Sequence, residues 1–343
     1  MKDLFKNKTI LITGGTGTFG KNFVKYVLDN FKPKKLIIFS RDELKQFEMQ
    51  KSVLFGNNKV LRYFIGDIRD VERLKIAMNG VDIVVHAAAL KHVAAAEYNP
   101  SEFIKTNIQG SENIVIASIY NKVKNVIALS TDKAVQPINL YGATKLVSEK
   151  IFISANNMYG DKITKFSVTR YGNVLGSRGS IITIFDNLLK KNIHTLPVTD
   201  KKMTRFWITK EQAVKFVKNN IEIMEGGEIF VPKLPSVRIV DLAKSMAKKI
   251  EIKIIGKGVG EKLHEVMCVT EENDYTIEYP DHYTIIGSDN VSKLKKKNFK
   301  NKAGQVGKKV KSGFSYTSEN NKHFLNISEI SIMNKLNSQN DTL

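Results

Sequence analysis

An α/β fold, a doubly wound parallel sheet with a smaller substrate-binding lobe, is predicted from three features of the 343-residue sequence. Short apolar runs alternate with helix-forming stretches from residue 8 to 170, as expected of parallel strands covered on both faces. The first run passes directly into a glycine string, Gly14-Gly15-Thr16-Gly17-Thr18-Phe19-Gly20. Beyond Arg170 the alternation weakens, which sets a second unit apart.

In order, strands are expected at 9–13, 35–39, 60–65, 82–86, 125–129 and 165–169, with helices between them at 19–30, 42–54 and 140–157. Residues 171–205 are loop-rich around one helix near 181–191. A helix at 211–223 and a strand at 228–231 then return towards the sheet. Pro232 and Pro235 punctuate the chain before a helix at 240–249 and an apolar segment at 252–255. The expected domains are 1–172, joined by about 207–232, and a lobe from 173–206 with 233–330. Residues 298–311 read as a flexible basic connector and 331–343 as an unordered polar tail.

Hydrophobic residues make up 42%, enough for a sizeable core. No apolar run approaches the roughly 20 residues of a membrane span, and the first strand leaves no room for a signal peptide. A single cysteine, Cys268, excludes an internal disulfide and suits the cytoplasm, with packing as its expected role. Lys and Arg number 54 against 34 Asp and Glu, a net charge of +20. The lysines are spread along the chain, densest from Lys293 to Lys311, so the charge suits an anionic small substrate more than nucleic acid.

The glycine string lies between a strand and a helix. Gly14 allows the turn, Gly17 lets backbone approach a pyrophosphate, and Gly20 lets the helix pack closely. Thr16, Thr18 and Phe19 complete the loop, and phosphates would rest on the helix amino end. This is a Rossmann-type dinucleotide site. At the end of the second strand, Ser40, Arg41 and Lys45 suit a 2′-phosphate and favour NADP. Asp42 keeps NAD as the alternative, its rival role being a helix cap. Asp67, followed by Ile68, ends the third strand where adenine would lie, again with a cap as the rival role. Ala87 and its small neighbours let a flat cofactor approach, and His86 is expected to be structural. Asn107 is expected to bond backbone near the site, or else to be a surface amide.

Tyr141 and Lys145 stand four apart and share a helix face. There an ammonium can lower the phenol's pKa and make Tyr141 a proton acceptor, with the Thr131 hydroxyl nearby at a strand end. These parts assist hydride transfer. Asp132 and Lys133 add an acid and a base that hydride transfer does not need, and so suggest elimination of water.

Together, the glycine loop, Ser-Arg-Asp-Glu-Leu-Lys (40–45), Ala-Ala-Ala-Leu-Lys-His-Val (87–93), Ser-Thr-Asp-Lys (130–133) and the Tyr141/Lys145 pair resemble the inverting UDP-N-acetylglucosamine 4,6-dehydratases of the extended short-chain dehydrogenase/reductases. Residues 170–174, 203–209 and 260–265 continue the likeness, which covers about 5 to 330. The resemblance implies Lys133 as the base at C5, Asp132 as the acid for the departing 6-hydroxyl, and Asn173, Arg205 and Glu261 as holders of the UDP part. Arg205 would pair with the diphosphate or serve as a structural ion-pair donor. Lys91 would approach the sugar or nicotinamide, or simply end a helix. Gly258 stands where relatives carry a phosphate-binding arginine, with Lys257 as a substitute, and Trp207 is expected in the core. A homo-oligomer is expected as well.

One difficulty accompanies these roles. A base must be neutral and an acid protonated, whereas an adjacent Asp/Lys pair favours the opposite. The rival readings are a 4-epimerase, a C5-retaining dehydratase and, more remotely, a non-catalytic nucleic-acid binder on the same fold.

Overall fold

In the computed structural model the described residues are 4–56, 58–158, 163–177, 179–247, 249–287, 294 and 299–339. In chain order the strands are β1 (Thr9–Thr13), β2 (Lys35–Ser40), β3 (Leu61–Ile65), β4 (Ile83–His86), β5 (Asn125–Thr131), β6 (Lys165–Tyr171), β7 (Asn173–Val174), β8 (Thr195–Val198) and β9 (Thr204–Ile208). They continue with β10 (Glu228–Pro232), β11 (Ser236–Arg238), β12 (Glu251–Ile254), β13 (Val266–Cys268), β14 (Thr276–Glu278), β15 (His282–Ile286), β16 (Phe299–Lys300), β17 (Val306–Lys309) and β18 (Tyr316–Thr317). The helices are α1 (Thr18–Asn30), α2 (Glu43–Lys51), α3 (Val71–Ala77), α4 (Val93–Tyr98), α5 (Pro100–Phe103), α6 (Gly110–Tyr120), α7 (Leu140–Met158), α8 (Ile181–Lys190), α9 (Lys210–Ile223), α10 (Ile239–Met246) and α11 (Ile327–Gln339).

The main sheet runs β3-β2-β1-β4-β5-β6-β10 in parallel and continues antiparallel through β15-β14-β17-β16. Ile10, Leu11 and Ile12 of β1 and Val84 and Val85 of β4 have no exposed surface. That two-sided burial explains why these strands carry continuous apolar runs. Helix α1 packs on α9, while α3, α6 and α7 pack together as another layer. The order reverses between β1 and β4, and a crevice opens at such a point beyond the strand ends. A second core, including Phe185, Leu196, Met203, Trp207 and Leu242, holds the lobe.

Two expectations are corrected. Within 298–311, expected as a flexible connector, the described residues form β16 and β17, and β17 pairs with β14 through Ile277↔Lys309. Lys300, Lys308 and Lys309 belong to an edge of the sheet, where charge discourages further strand pairing. Lys293, Lys295 to Lys297 and Asn298 lie outside the described residues. The sheet thus extends into sequence assigned to the lobe. The tail expected from 331 is helical to Gln339, because Ile330 and Met333, one turn apart, seat α11 on the second core. Residues 340–343 lie outside the described residues.

A buried ion pair ties β6 to α7, and the same guanidinium reaches β13. Arg170 donates to Glu149 from Nε at 3.1 Å and Nη2 at 2.7 Å, and from Nη1 to the Met267 carbonyl at 2.6 Å. Arg170 is 2% exposed and Glu149 1%. Arg170→Met is expected to cost about 3–5 kcal/mol, because it strands a buried carboxylate. An unfolding free energy from urea titration within about 1 kcal/mol of the parent, at unchanged m-value, would contradict this.

Candidate active site

The glycine loop is shaped by contacts that admit no side chain. Gly14 has φ +66°, and a Cβ there would lie 2.9 Å from the Ala88 nitrogen. A Cβ on Gly20 would lie 2.5 Å from the Gly14 oxygen and the Gly15 Cα. Gly17 caps α1 without any side-chain bond, so the helix amino end is open to an anion. Thr16 Oγ1 lies 3.0 Å from Ser40 Oγ, joining the loop to the end of β2. Thr13 Oγ1 accepts from Ala87 and Ala88 nitrogens at 3.1 and 3.2 Å and lies 2.9 Å from His86 Nδ1. Burial and the Lys145 charge push His86 down to about 3, consistent with a neutral structural imidazole.

At the β2 and β3 ends, Asp42 caps α2 by accepting from the Lys45 nitrogen at 3.0 Å, and its carboxylate also holds the Lys45 ammonium. Arg41 lies 3.7 Å from Asp67, which also accepts from Arg69 at 2.7 Å. Burial pushes Asp67 up, but the Arg69 bonds and the two guanidiniums hold it below its ordinary value. Ile68 is buried, and a Cβ on Gly110 would lie 2.7 Å from its Cδ1. Asn107 sits in a π-helical turn, Ile104–Gln109, a local widening that recurs at functional sites. It is 1% exposed, bonds both Leu90 nitrogen and carbonyl at 2.9 Å, and donates to Thr144 Oγ1 at 3.0 Å. It thereby fixes the segment carrying Lys91.

A cleft of about 590 Å³ opens over the glycine loop. Its lining brings together Gly14, Gly17, Thr18, Phe19, Gly20, Ala87, Lys91, Thr131, Lys133, Tyr141, Lys145 and Asn173 from the candidate set. Thr16, Ser40, Arg41, Asp42, Lys45, Asp67, Ile68, Asn107, Asp132, Arg205 and Glu261 lie outside that lining.

Strand β5 ends at Thr131 and turns into a short 3₁₀ segment, Asp132–Ala134. Thr131 Oγ1 donates to Asp132 Oδ1 at 2.9 Å, and Lys133 Nζ reaches the same oxygen at 3.1 Å. Lys133 Nζ also lies 3.3 Å from Glu265 Oε1, and Arg205 Nε lies 3.6 Å from that oxygen. Asp132 is fully buried and Glu265 2% exposed. Asp132 Oδ2 and Glu265 Oε2 are buried with no hydrogen-bond partner.

Electrostatics follow from this packing. Burial pushes the Asp132 carboxyl up and the Glu265 charge adds to the effect, outweighing Lys133 and Thr131. Lys133 is held as an ammonium, since its two carboxylates outweigh its burial and Arg205. Glu265 lies below its ordinary value despite burial, held there by Lys133, Arg205 and Lys262.

The expected lowering of Tyr141 by Lys145 is not found. Burial pushes the phenol up to about 12, and the cation opposing that rise is Lys133, helped by the Thr131 hydroxyl. Lys145 Nζ instead donates to the Leu129 carbonyl at 2.7 Å, and burial pushes it down to about 8.

On the lobe side, Asn173 Oδ1 and Trp207 Nε1 are buried beside the cleft without partners. Arg205 donates to the Thr204, Leu263 and Lys262 carbonyls at 2.7, 3.1 and 2.9 Å. Glu261 accepts from the Gly258 nitrogen at 3.2 Å, closing its own turn. Glu265 was given no role by sequence reasoning, although it ends a polar run just before the apolar β13. Trp207 was expected in the core in preference to a stacking platform, and it is both buried and part of the cleft lining.

The reversal point, the open glycine-capped helix and the Thr131-Tyr141-Lys145 grouping define an extended short-chain dehydrogenase/reductase. A family model described as polysaccharide biosynthesis protein matches residues 10–287, and the chain belongs to that family. It is similar to a UDP-N-acetylglucosamine 4,6-dehydratase (inverting) of Campylobacter jejuni subsp. jejuni serotype O:23/36 (strain 81-176), 54% identical over 95% of this chain and 97% of the relative. It is also similar to a UDP-glucose 4-epimerase of Rickettsia conorii (strain Malish 7), 43% identical over 82% and 84%. The crystal structure of Pen from Bacillus thuringiensis superposes with a TM-score of 0.87 at 39% identity, covering 98% of this chain and 99% of that one.

Proposed function

We propose that the cleft removes water from UDP-N-acetylglucosamine with inversion at C5, giving UDP-2-acetamido-2,6-dideoxy-β-L-arabino-hex-4-ulose. The protein is then a hydro-lyase. The observation that carries this reading is the wholly buried Asp132, its carboxyl pushed up by burial and by Glu265, in contact with Lys133, which lines the cleft together with Tyr141. A 4-epimerase has no use for such a pair.

The glycine cradle, which any Cβ would fill, fits a dinucleotide pyrophosphate. When bound, a nicotinamide takes two electrons and a proton from C4 and returns them at C6, so no net oxidant is consumed. Tyr141 Oη takes the O4 proton, with the Thr131 hydroxyl and the Lys133 charge countering the burial that opposes its ionisation. The resulting C4 ketone acidifies the C5 proton, which Lys133 Nζ removes. Asp132 gives its proton to O6 as the C6–O6 bond breaks, and water leaves. A proton then returns to C5 from the opposite face. With Asp132 holding its proton, Lys133 has only to release one of its own for the acid and the base to be armed together.

Asn173 and Lys91 line the cleft where the nucleotide sugar would lie. Arg205 and Glu261 would act from behind it, by holding the loop 258–265. NADP is the proposed cofactor, because Asp42 is occupied as a helix cap and Arg41 stands at the β2 end. Arg41→Ala is expected to weaken NADP binding about tenfold, roughly the worth of one charge-assisted bond, and to leave NAD binding unchanged; titration calorimetry with both cofactors decides. Residues 1–172 with 207–232 would carry the dinucleotide and the lobe the sugar. The product would feed a bacterial surface glycan such as pseudaminic acid, made in the cytoplasm by a homo-oligomer. Among the described residues no helix is long and apolar enough to cross a membrane.

The test is incubation with UDP-N-acetylglucosamine and NADP, followed by mass spectrometry and NMR of the product. Loss of one water with the L-arabino configuration is expected. An unchanged mass with inverted C4 would establish epimerisation instead, and a retained C5 would overturn the stereochemical assignment.

A further inference from the structure

We propose that Glu265 is a positioning residue whose negative charge keeps the proton on Asp132 and so maintains the acid for water loss. This rests on the dehydratase reading above. Glu265 reaches the site from the residue just before β13, 132 positions beyond Lys133 in sequence (265 minus 133). Its backbone nitrogen accepts no freedom of place, since it donates to Ser318 Oγ at 2.9 Å and its carbonyl receives the Ser318 nitrogen at 2.8 Å.

Two carboxyls therefore face one ammonium, Asp132 at 3.1 Å and Glu265 at 3.3 Å, in a site closed to water on the carboxyl side. Like charges at such range do not both ionise readily in a buried site. The asymmetry decides which carboxyl yields. Arg205 lies 3.6 Å from Glu265 Oε1, and Lys262, whose ammonium bonds the Val135 carbonyl, adds its charge to Glu265. Asp132 has Lys133, the Thr131 hydroxyl and only the smaller share of the Lys262 charge, with no contact to Arg205. Glu265 thus keeps the charge and Asp132 keeps the proton. The other polar groups facing the cluster are Tyr141, which feels both carboxyls, and Thr131. His264, next in sequence, is turned away onto Thr204 Oγ1 at 2.8 Å and towards Glu319 at 3.5 Å.

Removing the charge has a directional consequence. Without Glu265, both Asp132 and Lys133 lose a proton more easily. The acid-form limb and the base-form limb of the pH–rate bell should then move the same way, to lower pH. The shift expected from one neighbouring charge is about one unit. Damage to folding alone would lower the bell without sliding it.

The experiment is the pH dependence of kcat for water loss in the wild type, Glu265→Gln and Glu265→Asp. Both limbs of the Gln variant should slide towards acid, and the Asp variant should return them towards the wild-type position. A bell that falls in height with its limbs fixed, or an Asp variant no better than Gln, overturns the proposal. A second measurement needs no Glu265 variant and no turnover. Infrared spectra of the wild-type protein at neutral pH should contain a protonated-carboxyl stretch that Asp132→Asn removes, and absence of that band also overturns the proposal. Failure of the wild type to release water from UDP-N-acetylglucosamine would instead defeat the dehydratase reading, and the infrared band would be judged separately.

Discussion

Lys133→Met is expected to abolish water loss while leaving dinucleotide binding intact and the first oxidation slowed, since the charge that eases Tyr141 ionisation is lost, but not stopped. The change keeps most of the aliphatic stem and removes only the amine. General-base catalysis contributes about 10²–10⁴-fold, so turnover should fall at least into that range. Because Tyr141 and Thr131 are untouched, mixing the variant with UDP-N-acetylglucosamine and NADP should still produce reduced-nicotinamide absorbance. No deuterium should enter C5 from heavy water. Full C5 exchange in this variant would remove Lys133 from the mechanism.

The same variant should show a distinctive stability profile. It leaves the buried carboxyls of Asp132 and Glu265 facing each other with Arg205 as the nearest remaining cation. Their folded-state pKa values must then rise above the unfolded ones. A carboxyl shifted in that direction favours folding below its unfolded pKa, and the benefit disappears as pH rises through the folded value. The deficit relative to the wild type should therefore be small near pH 4 and grow towards neutrality, approaching about 3–5 kcal/mol, the usual cost of breaking a buried pair. Thermal unfolding of both proteins across that range measures it, and a deficit independent of pH would contradict the buried-carboxyl account.

Legibility of the fold followed the range of the interactions involved. The strands of the parallel half were readable because each must bury both faces, and the glycine loop because its geometry excludes side chains within a single turn. The antiparallel extension was not readable. Strands β14, β16 and β17 are two to four residues long, and β16 and β17 carry lysines, so local composition resembles a loop until β15 supplies a partner. Helix α11 was hidden likewise, since one fully buried isoleucine, Ile330, supplies much of its anchoring. In the site, Thr131, Asp132, Lys133, Tyr141 and Lys145 lie within one strand-turn-helix passage and could be grouped by spacing. Glu265 could not, because only the docking of the lobe brings it to Lys133. The electrostatic difficulty of the adjacent Asp/Lys pair was visible in sequence, whereas the group that biases it was not. The direction of the Tyr141 shift was also out of reach. Helical spacing places Lys145 on the same face, but it does not reveal that the ammonium is committed to the Leu129 carbonyl.

Tyr141→Phe should stop the reaction one step earlier than Lys133→Met does, and the pair of variants separates the two halves of the chemistry. The phenyl ring retains the packing of Tyr141 against Ala96 and Phe103, so the fold and the cleft should survive. What disappears is the oxygen that receives the O4 proton, with an expected loss of about 10²–10⁴-fold. Neither reduced-nicotinamide absorbance nor C5 exchange should then appear, because C5 is not acidic until C4 is a ketone. The phenol is pushed up to about 12 in the ligand-free protein, mainly by burial, so its ionised fraction is small at neutrality. Below that pKa the fraction rises about tenfold per pH unit, and the single-turnover oxidation rate of the wild type should climb with it. The Phe variant should lose that slope together with the rate. If Tyr141→Phe still oxidised C4 with a wild-type pH dependence, the proton acceptor would have to be another group at the cleft. The nearest alternative would be Lys133, which lies close enough to influence the phenol, and Lys133→Met would then lose the first step as well. The two substitutions together therefore identify which group opens the reaction.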